Sequence, residues 1–140
     1  MSKVAMELTI VSAEAELFSG EVQSLIVTGA SGEIGVHPGH TALLTAVKPG
    51  YIKFVLDSGE EQVYYISGGF LEVQPTKATL LSNTAARADE LDEASAQTAK
   101  EQAEASLSDQ TEGMDYTRAM AELAEASAQL RAIQMLRKKH

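Results

Sequence analysis

The hydrophobic repeat of the chain changes near residue 85, and this change limits the possible folds more than any other feature. Before it, apolar residues such as Met6, Leu8 and Ile10 alternate with their neighbours, and Gly or Pro often interrupts the runs. After it, apolar residues recur at offsets of three and four. Alternation is the period of a strand, and three–four spacing is that of a helix. The change of repeat therefore predicts a β domain over residues 1–86 and a helical domain over residues 87–140.

The strands predicted for the first domain are short and end at turn residues. The run of Ile52, Phe54 and Leu56 stops at Asp57-Ser58-Gly59-Glu60, which is a hairpin signal. Further turns are predicted at 67–69 and 75–77. Short strands at regular spacing favour an antiparallel β-sandwich or flattened barrel. With the helices that follow, the predicted class is α+β.

The second domain reads as a two-helix hairpin. Asp89 is the predicted N-cap of the first helix, because acids follow it closely. Turn-prone residues at 108–113 separate this helix from a second one that starts near Asp115. The predicted apolar stripes are Ala96, Ala99, Ala103 and Leu107 on the first helix, and Tyr116, Ala119, Leu123, Ala126, Leu130 and Ile133 on the second. Helices joined by a short link pack antiparallel.

The predicted contact between the two helices is rich in alanine. Each Ala in place of Leu forgoes roughly 2 kcal/mol of burial, at about 0.8 kcal/mol per methylene. The helices themselves have good intrinsic propensity, so they are expected to outlast their contact with each other. Opened, a second helix of ~23 residues would reach ~35 Å. A static, alanine-packed hairpin fits the same residues, and both readings stay open at this point.

Charge and composition exclude several functional classes. The chain carries 20 acidic and 11 basic residues, a net charge of −9, which disfavours nucleic acid and direct membrane binding. It has no Cys, so disulfides and thiol nucleophiles are excluded. The first residues are not typical of a signal peptide, and no run approaches the ~20 apolar residues of a membrane span. The expected partners are proteins.

The segment GEIGVHPGH at 32–40 is the most distinctive motif of the first domain. Glu33, His37 and His40 could supply metal ligands, but His-Pro-Gly-His is not helical and lacks the paired-histidine face of a zinc helix. The glycines could cradle phosphate, yet no Gly-Lys-Ser/Thr follows them. A loop that presents a partner-binding edge fits better. Neither a nucleophile elbow nor a catalytic carboxylate pair is evident elsewhere, so we expect no catalysis, cofactor or metal.

The C-terminal segment is basic in an otherwise acidic chain. After Glu125 no acid occurs, and Arg131, Arg137, Lys138 and Lys139 accumulate. Cations at a helix C-terminus complement the helix dipole. The same four residues could dock on an acidic protein surface. The residues alone do not choose between these two explanations.

Several segments together resemble the epsilon subunit of bacterial F-type ATP synthase over essentially the whole chain. They are VSAE at 11–14, FSG at 18–20, VTG at 27–29, GEIGVHPGH at 32–40, LLTAVKPG at 43–50, YISGGFLEVQP at 65–75 and ASAQLR at 126–131. Their order and spacing make the resemblance specific. It implies a non-catalytic rotor subunit of the central stalk, peripheral on the cytoplasmic face of the bacterial plasma membrane, which couples the catalytic head to the ring of c subunits during proton-driven ATP synthesis.

The resemblance also implies partners for individual residues. Glu33 and Ile34 would face the c-ring, and Ser12, His40 and Leu43 would face the gamma subunit. The hairpin would either fold beside the β domain or extend along gamma toward the alpha and beta subunits, where it blocks rotation and ATP hydrolysis. The inhibitory tip would then be Arg131, Arg137, Lys138 and Lys139, set against acidic loops of the beta subunits.

One departure concerns nucleotide binding. Some members of the family bind ATP through Ile/Leu-Asp-x-x-Arg-Ala at the start of the first helix. Here the segment reads Leu91-Asp92-Glu93-Ala94-Ser95-Ala96, with Ser95 where Arg is expected. Loss of the guanidinium removes a phosphate contact, so weak or absent ATP binding is predicted. Two other functions remain as alternatives: a free-standing ligand-binding module, and a metal enzyme centred on His37 and His40.

Overall fold

The computed structural model describes residues 5–109 and 114–137, and within them eight strands precede two helices. The strands are β1 Met6–Val11, β2 Glu16–Gly29, β3 Gly32–Val36, β4 Leu43–Leu56, β5 Glu61–Ile66, β6 Gly69–Gln74, β7 Lys77–Ser82 and β8 Ala85–Arg87. A 3-10 turn, Ala88–Glu90, leads to helix α1 Glu93–Asp109 and helix α2 Met114–Arg137. The predicted α+β class and the order of β domain and helices are confirmed.

The strands form a flattened barrel. Their order is β3-β2-β1-β7-β6-β4-β5-β8, and a further pairing of β2 with β4 closes the sheet on itself. The long strands β2 and β4, of 14 residues each, serve both sides of the barrel. All pairings are antiparallel except that of β1 with β7, which is parallel. One side of the barrel is thus built from β1, β7, β6 and the first halves of β2 and β4, and the other from β3, β5, β8 and the second halves of β2 and β4.

The barrel interior holds the larger of two hydrophobic clusters. Alternation places Ile52 and Phe54 inside, fully buried, and Tyr51 and Lys53 outside. The ring of Phe54 lies 4.6 Å from that of Phe18 and 5.7 Å from that of Tyr64, centroid to centroid. The buried members are Met6, Leu8, Ile10, Val22, Leu25, Val27, Val36, Val47, Ile52, Phe54, Tyr64, Ile66, Leu71, Val73, Ala78 and Leu80. No helix residue belongs to this cluster, so the barrel fills its own interior.

Helix α1 starts later than the sequence predicts, and Asp92, not Asp89, caps it. The Asp92 Oδ1 atom accepts hydrogen bonds from the backbone N–H groups of Ala94 (3.0 Å) and Ser95 (3.3 Å). Asp89 instead lies in the 3-10 turn and pairs with Arg87 at 2.8 Å. The prediction was wrong because residues 88–90 form a separate 3-10 turn after β8, so that α1 begins only at Glu93.

Helix α2 is buried on two faces, of which the sequence predicted one. Toward α1 it presents a stripe buried largely as predicted: Ala119, Ala126, Leu130 and Ile133. Toward the barrel it presents Ala128 and Ala132, both fully buried. Two predicted stripe members are exposed instead, namely Ala99 and Tyr116. Ala99 lines a crevice between the helices together with polar side chains such as Gln102 and Glu122 and with Ala103 and Ala126.

Candidate interaction surfaces and the docked hairpin

An apolar row crosses the outer side of the barrel. Val11 of β1 lies beside Leu81 of β7, which lies beside Phe70 of β6, and Ala46 of β4 comes next. Strand alternation turns these side chains away from the core, and Phe70 and Leu81 are 57% and 52% exposed. Leu44, two residues before Ala46 on the same face, is 71% exposed. Large apolar side chains clustered on a surface mark an interaction site.

A shallow groove of about 290 Å³ runs along this row. Its walls are Val11, Ser12, Ala13, Gly69, Phe70, Leu81, Ser82 and Asn83. Gly69 is required at the start of β6, just before Phe70, because its φ is +155° and a Cβ there would lie 1.9 Å from the Leu81 carbonyl oxygen. Ser12 caps the turn after β1, since its Oγ accepts from the N–H of Ala15 at 3.2 Å. The structure thus places Ser12 beside the apolar row.

His40 lies in the loop between β3 and β4, at the other end of this side of the barrel. The loop is tied to the β6–β7 turn because the Gly39 N–H donates to the Pro75 carbonyl at 2.8 Å. The His40 N–H donates to the His37 carbonyl at 3.1 Å, which closes a tight turn. Within the described residues no group of three His, Asp or Glu side chains is arranged to hold a metal ion.

Leu43 and Leu44 have opposite orientations at the start of β4. Leu43 pairs with the buried Val73 and packs against the core. Leu44 pairs with Glu72 on the outer face. Of the two neighbours, Leu44 is therefore the side chain that a protein docking on this face would touch.

Glu33 and Ile34 lie on β3, at an edge of the barrel, and also differ in direction. Ile34 is partly buried and packs against the core, and it fills the space beside Gly29 that a Cβ would occupy. Glu33 is exposed, and its carboxylate accepts a hydrogen bond from the hydroxyl of Tyr51 on β4. Burial and the Glu33 carboxylate raise the pKa of Tyr51 to about 12, while Arg131 acts in the opposite direction.

Tyr51 also belongs to the seat on which α2 rests. This second cluster consists of the buried residues Val63, Tyr65, Ala88, Ala128 and Ala132, with Tyr51, Ala86, Leu91, Met135 and Leu136 packed around it. At its margin the Arg131 guanidinium donates to the Pro49 carbonyl of β4 at 3.0 Å. The Tyr65 hydroxyl is buried in the seat; burial, followed by the Glu125 carboxylate, raises its pKa to about 12, while a hydrogen bond with Gln129 acts in the opposite direction.

The predicted cationic tip is partly engaged in this arrangement. Arg137 forms a two-pronged ion pair with Glu93, one prong being Nη1 to Oε2 at 3.1 Å. The hydrogen bond from Arg137 lowers the pKa of Glu93. Lys138 and Lys139 lie outside the described residues. Arg131 and Arg137 therefore fasten α2, the first to the barrel and the second to the start of α1.

The start of α1 and the crevice between the helices contain few cations. The Ser95 hydroxyl donates to Asp92 Oδ2 at 3.0 Å, so Ser95 completes the cap. The backbone N–H and the hydroxyl of Ser95 lower the pKa of Asp92. The crevice, about 340 Å³, is lined by Ala99, Gln102, Ala103, Ser106, Glu122, Glu125, Ala126 and Gln129. Its charged walls are carboxylates.

Comparison with known proteins fits this architecture. The family model of the ATP synthase delta/epsilon chain β-sandwich domain matches residues 5–88, and that of the long α-helix domain matches residues 89–134. The ATP synthase epsilon chain of Chromohalobacter salexigens is 51% identical over 135 residues, which cover 96% of each chain. The chain belongs to the ATP synthase delta/epsilon family. It is accordingly a non-catalytic, accessory subunit of an ATP synthase, as the sequence resemblance predicts.

Solved structures share the fold of this delta/epsilon chain. A chain in the cryo-EM structure of the Euglena gracilis mitochondrial ATP synthase matches 89% of it, over 79% of that chain's own length, with a TM-score of 0.82 and 23% identity. A chain from the central stalk and c-ring of the Tetrahymena thermophila mitochondrial ATP synthase matches 97% of it, over 98% of its own length, with a TM-score of 0.59 and 15% identity.

In the described part of the chain no helix is long and apolar enough to cross a membrane.

Sequence reasoning missed three parts of these surfaces. The apolar row could have been found, because Phe70 shares a strand face with the polar Glu72 and Gln74. The barrel-facing alanines of α2 give no such signal, since alanine is common on both faces of that helix. The bond between Tyr51 and Glu33 joins strands that are distant in sequence, and no local pattern encodes it.

Proposed function

We propose that this chain is the rotor subunit at the foot of the central stalk, where its barrel binds gamma and the c-ring and its hairpin restrains ATP hydrolysis. In this position it couples the catalytic head to the ring during proton-driven synthesis. The complex would be peripheral to the cytoplasmic face of a bacterial plasma membrane. The observation that carries the proposal is the separation of two surfaces: the apolar row lies mainly on β1, β7 and β6, while α2 packs on β4 and β5.

The apolar row is the proposed gamma-binding surface. Ser12 lines its groove, and Leu44, rather than the inward-facing Leu43, extends it toward the loop of His40. Phe70 and Leu81 at its centre are the kind of large side chains that dominate protein interfaces. In the proposed assembly gamma covers this row and leaves the opposite, hairpin-bearing side of the barrel free.

The c-ring contact is proposed at the edge of β3. Glu33 is exposed there and offers a carboxylate to polar groups of the ring loops. Ile34 contributes by holding the edge in shape, because its side chain packs inward beside Gly29. The contact is then mainly polar, as befits a surface that is exposed before assembly.

The proposed inhibition requires α2 to leave its seat and extend toward the alpha and beta subunits. Among the described α2 residues, the buried ones are Ala119, Ala126, Ala128 and Ala132, with Leu130 and Ile133, so release uncovers less apolar surface than leucines at the alanine positions would. Release also frees Arg131 and Arg137 from Pro49 and Glu93. Together with Lys138 and Lys139 they then form the inhibitory tip, whose positive charge suits acidic loops of the beta subunits.

ATP is proposed to bind this chain weakly or not at all. Ser95 stands in the place of the family's arginine and uses its hydroxyl on Asp92. The neighbouring crevice presents Glu122 and Glu125, which repel phosphate groups. Calorimetry with millimolar ATP tests this, and saturable uptake would contradict it.

The decisive experiment compares two altered chains in a reconstituted complex with gamma and the c-ring. A chain ending at Arg87 keeps the barrel and the apolar row, so it should assemble and release ATP hydrolysis from inhibition. Phe70→Asp, which keeps the hairpin, should fail to assemble; Ser58→Asp, at an exposed position in the turn between β4 and β5, is its matched control. A truncated chain that leaves hydrolysis unchanged, or a Phe70→Asp chain that assembles normally, would refute the corresponding half of the proposal.

A further inference from the structure

Tyr51 connects two surfaces that the proposed function treats as separate. Its hydroxyl donates to Glu33 at the β3 edge, while its ring packs against the cluster that seats α2. No other hydrogen bond found in the described residues joins β3 to a side chain of the seat.

The backbone around Tyr51 is held firmly, so the side chain has a defined direction. The Tyr51 N–H donates to Thr28 Oγ1 at 3.2 Å, and the Thr28 hydroxyl donates to the Tyr51 carbonyl at 3.3 Å. Two residues earlier, the Pro49 carbonyl accepts from Arg131 of α2. The same short stretch of β4 therefore contains both the carbonyl that binds Arg131 and the tyrosine. The Glu33 carboxylate raises the pKa of Tyr51, and the Arg131 guanidinium lowers it.

We propose that Tyr51 couples the Glu33 edge to the docked position of α2, so that a partner which binds the Glu33 carboxylate loosens the hairpin. The partner needs N–H or hydroxyl donors that compete with the tyrosine; resting on the proposed function, this is a polar loop of the c-ring. When the carboxylate is taken up, the Tyr51 ring loses the bond that fixes it in the seat. Coupling is reciprocal, so a docked α2 also weakens the partner's hold on Glu33.

This coupling makes the state of the hairpin depend on assembly. In the free chain Glu33 is available to Tyr51, and α2 stays seated with its cations engaged. In the rotor the ring competes for Glu33, and α2 is released more readily toward the catalytic subunits. Tyr51 acts here as a positioning residue, through the seat and not through any contact with the inhibited subunits.

Hydrogen exchange on the full chain tests the first half of the proposal. Tyr51→Phe keeps the ring and removes the donor, so amides at 128–136 should exchange about three- to tenfold faster, the effect of one hydrogen bond. Amides of β1 should be unchanged. Tyr64→Phe is the matched control, because it removes the hydroxyl of a tyrosine that belongs to the barrel cluster and not to the seat; its α2 exchange should not accelerate. Equal rates in wild type and Tyr51→Phe would overturn the coupling.

The Glu33 side provides an independent check. Glu33→Ala should accelerate α2 exchange as much as Tyr51→Phe does, and Glu33→Gln, which keeps an acceptor oxygen, should have a smaller effect. The double variant Tyr51→Phe with Glu33→Ala should be no faster than either single one, since both remove the same bond. Additive effects would show that the two residues act separately and would overturn the proposal.

The second half is tested with a purified gamma–c-ring rotor in detergent. Binding should protect residues 32–36 and accelerate α2 exchange in the wild type, but cause no further acceleration in Tyr51→Phe. Protection of 32–36 without acceleration would refute the coupling and leave the proposed c-ring contact standing. No protection at all would refute that contact, and with it the release step, while the exchange of the free chain would still decide the role of Tyr51.

Discussion

The barrel interior and the contacts of the hairpin are both apolar, but they are built from side chains of different size. Inside the barrel, Phe18, Phe54 and Tyr64 pack their rings together among leucines, isoleucines and valines. Around α2, many of the buried positions are alanine. Burial stabilises roughly in proportion to apolar area. We therefore expect the barrel to be the more stable part of the molecule, and the hairpin to be the part that separates at lower cost.

The two faces of α2 also differ from each other. Toward α1 the buried side chains of α2 are Ala119, Ala126, Leu130 and Ile133, and those of α1 include Ala96 and Ala103. Toward the barrel, the alanines of α2 meet Tyr65 and Val63. Because α1 packs chiefly on α2, and α2 packs also on β4 and β5, the hairpin meets the barrel mainly through α2.

Removing an aromatic ring from the barrel should have the largest effect. Phe54→Ala deletes a fully buried side chain and leaves a cavity beside Phe18, so it should lower the free energy of unfolding by about 3–5 kcal/mol. Phe70→Ala, at a position 57% exposed, is the control and should change it by only about 0.5 kcal/mol. Urea denaturation followed by circular dichroism measures both. Similar losses in the two variants would mean that the interior is not the stable region.

A charge under α2 should separate the two regions. Ala128→Asp places a carboxylate against Tyr65 and Val63, where Ala128 is fully buried, and should destabilise docking by about 3 kcal/mol or more. The barrel should keep its own unfolding transition. Ala124→Asp makes the same change on the exposed face of α2 and should leave docking intact. Hydrogen exchange of α2 and of β1 in the same samples measures both; if β1 loses protection along with α2, the barrel depends on the hairpin.

The barrel and the hairpin also differ in how far the sequence predicts their structure. Alternation at Met6, Leu8 and Ile10 identifies the buried face of β1, because a half-buried strand must separate its apolar and polar residues. The closure of β2 on β4 and the parallel pairing of β1 with β7 join segments that are far apart in the chain, so no local pattern reveals them.

The hairpin was harder to predict because alanine is ambiguous. Ala99 and Ala126 fit the same spacing, yet only Ala126 is buried. Alanine has high helix propensity whether or not it is covered, so its position in a stripe does not establish a contact. The candidate site shares this limit: Glu33 was identified from a resemblance, whereas its bond to Tyr51 depends on how β3 and β4 lie in three dimensions.

The smallest expected effect concerns the ion pair at the open end of the hairpin. The hydrogen bond from Arg137 lowers the pKa of Glu93 in the folded chain. Because the pKa of Glu93 is lowered on folding, the ion pair stabilises the contact between α1 and α2 at pH values above the ordinary glutamate pKa, near 4.5. This stabilisation is lost as the pH falls through the pKa of the folded chain. Both side chains are largely exposed, so the gain is small and should weaken further in high salt.

Carbon-detected NMR titration of the Glu93 carboxyl group measures this directly. In the wild type its pKa should lie below 4.5, and in Arg137→Gln it should return toward that value. Arg118→Gln, which removes a cation elsewhere on α2, is the matched control and should leave it unchanged. If Arg137→Gln does not move the titration, then Arg137 is not paired in solution. The two helices would then be held by their apolar contact alone, in which Ala119, Ala126, Leu130 and Ile133 of α2 are buried, and no ion pair would have to break for α2 to leave α1.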